Sequence, residues 1–98
     1  MAEFLVEVYV SRSDDGVAQR GAERARLAAD ALQRNGTPVR YVRSIYVPEE
    51  ETCFLLFEGP SPAAIQEALR HSALPAERVA RVASWREHQN VIEGEPTT

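Results

Sequence analysis

The stretch TCFLLFEGPSPAAIQEAL, Thr52–Leu69, reads without interruption as strand, turn and helix. Cys53 to Phe57 is apolar at consecutive positions, the pattern of a strand covered on both faces rather than one. Gly59 and Pro60 end that run. The hydroxyl of Ser61 can accept from the open amides of a first helical turn, and Pro62 suits the first helical position, where no amide hydrogen is needed. Ile65, Ala68 and Leu69 then fall on one side of the predicted helix. A strand feeding directly into a helix is half of a crossover unit, so the flanking segments decide the fold.

Upstream, VRYVRSIYV (Val39–Val47) alternates Val39, Tyr41, Arg43 and Ile45 against Arg40, Val42, Ser44 and Tyr46. PEEE then turns the chain into the Thr52 strand, which predicts an antiparallel hairpin with an acidic, solvated tip at Glu49–Glu51. Earlier still, EFLVEVYV places Phe4, Val6, Val8 and Val10 on one face and Leu5, Glu7 and Tyr9 on the other. Between these strands Ser13, Asp14 and Asp15 offer helix caps, and Val17, Gly21, Ala25, Ala28 and Leu32 form one stripe up to Arg34. Asn35, Gly36 and Pro38 stop that helix. Downstream of Pro75, Val79, Arg81, Ala83 and Trp85 alternate with Ala80, Val82 and Ser84 as a fourth strand.

The order β-α-β-β-α-β is that of an α+β ferredoxin-like sandwich, a four-stranded antiparallel sheet with both helices on one face. Residues 1–88 are expected to form this single domain, and 89–98, polar and rich in small residues, a flexible tail. Two helices cover only one side of the sheet, yet the other side carries Leu5, Tyr9 and part of the CFLLF run. A contiguous apolar face of this kind predicts a homodimer through the open sheet face, a dimeric α/β barrel.

Composition narrows the function. The chain has 98 residues and a formal charge of −4, without the cationic surface a phosphate backbone requires, so nucleic acid is not an expected partner. No apolar run reaches the ~18 residues of a spanning helix, and the N-terminus lacks a basic leader; no membrane association and a cytoplasmic location are expected. All 11 basic residues are arginine, which removes lysine-based covalent chemistry. A single cysteine, Cys53, can form no internal disulfide and is read as core packing.

If Glu7 shares the open face with Arg43 and Arg81, with Tyr9 and Tyr41 nearby, a dimer would enclose a carboxylate, guanidinium groups and phenols. That constellation is either a set of charge pairs in a wet interface or a pocket for a small ligand lined by Tyr9, Tyr41, Arg43 and Trp85. In an enzyme of the dimeric α/β-barrel type Glu7 would serve as the general base. The only imidazoles are His71, at the end of the second helix, and His88, beyond the last strand; they are the candidate metal ligands. A purely structural interaction module is the third reading.

The block TCFLLFEGPSPAAIQEALRHSALPAERV resembles a family of small bacterial ferredoxin-like proteins with a nickel-binding branch. There a cysteine-containing strand runs through a proline turn into an Ala-Ile helix and a Pro-Ala-x-Arg segment. Cys53, Pro60, Ala64, Ile65, Glu67, Pro75, Ala76, Arg78 and Val79 carry the resemblance, with FLVEVYV and Ser44 in step. It implies the ferredoxin-like fold, dimerisation, and a small binding protein holding a ligand or a divalent transition metal such as nickel. This chain has Ala68 where the family's helix carries histidine, and Glu50 where its hairpin carries a basic residue.

Overall fold

A computed structural model describes residues 1–83. Its elements are β1 (Ala2–Tyr9), α1 (Asp15–Arg34), β2 (Arg40–Val47), a single 3₁₀ turn at Pro48–Glu50, β3 (Thr52–Gly59), α2 (Pro62–Ser72) and β4 (Ala76–Val82). The strands form one antiparallel sheet in the order β2-β3-β1-β4, the ferredoxin-like arrangement expected from the element order.

Period-two alternation decides what each strand buries. Phe4, Val6 and Val8 of β1 lie in register with Phe57, Leu55 and Cys53 of β3, and all six are buried on the helix side. Against them pack Ala25, Ala29 and Leu32 of α1 and Ile65, Ala68 and Leu69 of α2. The buried stripe of α1 starts at Ala18, not Val17, whose side chain is exposed. Small residues along that stripe bring the helix close: a Cβ added at Gly21 would sit 3.3 Å from Leu74 Cδ2.

Helix ends follow the sequence signals in part. Ser61 caps α2 by accepting from the Ala64 amide, with Pro62 in the first turn. Asp14 occupies the cap position of α1 but makes no side-chain capping bond. The β1–α1 loop is held instead from the hairpin. Tyr46 donates its hydroxyl to the Ser11 carbonyl at 2.9 Å, the Val10 amide donates to the Glu51 carbonyl, and the Arg12 amide donates to the Glu51 carboxylate.

Two irregularities set the faces of the edge strands. In β2 the register jumps between Tyr41 and Arg43, so Val42 is an extra residue with no partner on β3. Val39 and Tyr41 therefore face the helices, whereas after the bulge Ser44 and Tyr46 do so, and Arg43 and Ile45 turn to the open side. In β4 the extra residue is Glu77, because Arg78 pairs with Glu7 while Ala76 pairs with Val8. The strand begins at Ala76, three residues before the alternation first read at Val79.

Candidate functional site: the open face of the sheet

The face of the sheet that no described element covers is built by alternate residues of all four strands. Reading across in register from β2 to β4, one row is Ile45, Phe54, Glu7 and Arg78, and the next is Arg43, Leu56, Leu5 and Ala80. Tyr9 and Thr52 lie at one end of these rows, and Arg40, Glu58, Glu3 and Val82 at the other. The centre is apolar and only part-buried, as Leu5, Phe54 and Leu56 show. Ile45 and Tyr9 are exposed at 45% and 56%. A sheet face meant for water alone would alternate in polar residues here; this one does so mainly at its rim.

Its charges are balanced. Glu7 is met by Arg78, Nε to Oε2 at 3.4 Å, and Glu58 by Arg40 at 3.0 Å. The Arg40 hydrogen bond holds the Glu58 carboxyl below its ordinary range, and Glu58 in turn pushes the guanidinium up. Glu3 and Arg43 have no ion-pair partner among the described residues. The face therefore carries three carboxylates against three guanidinium groups, in a chain whose net charge is −4.

Of the residues read from sequence as a site, Glu7, Tyr9 and Arg43 share this face. Tyr41 does not: it lies on the helix side with its ring 5.8 Å from that of Phe57, edge to face. Arg81 also leaves the constellation, since it is in register with Phe4, on the helix-side parity. Arg78 takes its place beside Glu7. The signal was in the sequence, because Val79 facing the core puts Arg81 on its own side and Arg78 on the other. Trp85 and His88 lie outside the described residues.

His71 sits in the layer of the helices, on the far side of the sheet from Glu7. Its Nε2 is 3.0 Å from Oε2 of Glu67, one turn earlier on α2, and Arg70 contacts the same carboxylate. Among the described residues no three histidine, cysteine or acidic side chains come together as a metal would need. Ala68 is 1% exposed against the core, so the side of α2 it occupies has no room for an imidazole. Cys53 is also buried, lining a pocket of ≈ 80 Å³ with Val8, Ala18, Gly21 and Leu74. Desolvation pushes its thiol pKa up, away from a reactive thiolate.

Residues 8–82 match the family described as nickel responsive protein SCO4226-like, and the chain belongs to that family. The crystal structure of SCO4226 from Streptomyces coelicolor A3(2) superposes with a TM-score of 0.62 over 85% of this chain and 98% of that one, at 24% identity. At that identity the likeness is one of fold. No curated protein sequence matches the chain.

Proposed function

We propose that this member of the nickel responsive family is a small cytoplasmic binding protein that works as a homodimer. Its open sheet face would be covered by a second copy, and its ligand would be a small molecule or a divalent transition metal. The observation that carries the reading is the open face itself: an apolar centre of Leu5, Phe54 and Leu56 with a rim of equal positive and negative charge. A protein of net charge −4 repels its copies in general, but not through this face.

Nickel is the ligand class that the family's description suggests. One copy does not supply a nickel site from its described residues: His71 and Glu67 are two donors, and Arg70 already competes for the carboxylate. Transition metals of this type take more donors than that, so any site would need further ligands, from His88 or from a second copy. For the enzyme reading the structure gives Glu7 one ion-pair neighbour among the described residues, Arg78 at 3.4 Å, which makes the pair a charge contact on the open face.

Calorimetric titration of the full chain with nickel, alongside His71→Ala, tests the metal reading. Heat that disappears in the variant supports it; nickel heat that is absent, or indifferent to His71, overturns it. Light scattering tests the homodimer independently of any ligand, and a monomer at ~100 µM overturns that part of the proposal.

A further inference from the structure

Among the described residues the open face holds one charge of each sign without an ion pair, Arg43 on β2 and Glu3 on β1. Arg40 is near enough to Glu3 for the two charges to feel each other, but its guanidinium is already hydrogen-bonded to Glu58. Covering the face would strip water from both orphan groups, and a desolvated charge without a partner is strongly disfavoured. The two do not pair with each other within one copy. They are two strands and two residues apart, roughly 12 Å on the regular spacing of a sheet.

A face-to-face pair related by a two-fold axis solves this. Such an axis lies in the plane between the sheets, and every contact it makes occurs twice. Resting on the homodimer proposed above, we infer that the two copies are locked in register by reciprocal ion pairs, Arg43 of each with the partner's Glu3. The axis that sets this pair crosses β3 beside Leu56 and fixes everything else on the face. On the ideal sheet grid it brings Phe54 over the partner's Ala80, Glu7 towards the partner's Arg78, and Arg40 towards the partner's Glu58. Each of these charges then lies nearer to the opposite charge across the interface than to its own copy, and Leu5 and Leu56 meet at the centre. The strands of the two sheets then cross at about 70°, in the near-orthogonal class of sheet packing.

The alternative occupant of Arg43 is a small anion, and the test separates the two. Arg43→Glu alone opposes two carboxylates twice per dimer, and Glu3→Arg alone opposes two guanidinium groups twice. Each variant by itself is expected to dimerise ~100-fold more weakly than the wild type, as like charges across an interface do. Mixed in equal amounts, the two variants should form a heterodimer of near wild-type affinity, because both reciprocal pairs are complementary again. Sedimentation velocity of each variant and of the mixture reads this directly, with circular dichroism checking that each folds. Failure of the mixture to associate better than the single variants overturns the Arg43–Glu3 pairing while leaving the homodimer standing. A monomeric wild type overturns the homodimer itself.

Discussion

At the scale of single residues, Ala73 shows how local strain is accepted for tertiary packing. It ends α2 in the left-handed conformation, φ 56°, ψ 36°, where a side chain crowds the backbone. The geometry lets the Leu74 amide donate to the Leu69 carbonyl and the Ala73 amide to the Arg70 carbonyl, which closes the helix. It also swings Leu74 back against the core, next to Gly21 of α1. Glycine would take this conformation without the steric cost, at the expense of more chain entropy in the unfolded state. Ala73→Gly is therefore expected to stabilise the fold by about 0.5–1 kcal/mol, seen as a higher denaturant midpoint at unchanged slope. A lower midpoint would show that the turn is not under the strain its dihedral angles indicate.

Between residue and molecule lie the strand pairs, where Arg40 and Glu58 tie the start of β2 to the end of β3. The hydrogen bond from Arg40 lowers the Glu58 pKa, so the carboxylate favours the folded state above its unfolded pKa of ~4.3, and that contribution is lost as pH falls through the lower folded value. Arg40→Gln removes the charge and should move the Glu58 carboxyl resonance to titrate at higher pH, which a carbon-detected NMR titration would follow. An unchanged titration would mean that the pair is not formed in solution. The same strands mark where the sequence was legible. The alternation of β1, the CFLLF run of β3 and the Ser61-Pro62 start of α2 all gave elements in the right order, because a single periodicity runs through each. In β2 that periodicity breaks at Val42, and one bulge carries Tyr41 to the core and Arg43 to the open face. No rule of alternation places such a bulge, so the site read from sequence joined Tyr41 to Glu7, Tyr9 and Arg43, although Tyr41 faces the helices. Arg78 was missed although the parity of Val79 places it on the open side, because the strand begins three residues before the alternation first read at Val79.

At the scale of the whole molecule, the described residues form a core on one side of the sheet only. A chain of 98 residues buries a modest fraction of its surface, so stability and association are expected to be coupled if the open face is where the remaining apolar area is covered. Leu56 gives the sharpest handle. It lies on the central strand β3 between Leu5 and Arg43, part-buried in one copy and beside the two-fold axis in a pair. In a lone copy an aspartate there keeps its access to water and costs on the order of 1 kcal/mol. In a closed dimer the same carboxylate is desolvated twice, once per copy, against the apolar centre of the interface. Leu56→Asp should thus abolish the dimer while leaving a folded monomer. The thermal midpoint of the wild type should rise with protein concentration between ~1 and ~100 µM, as any assembly that binds only the folded chain requires, and that of the variant should not. A wild-type midpoint independent of concentration over this range would mean that the apolar face is met by something other than a second copy of this chain.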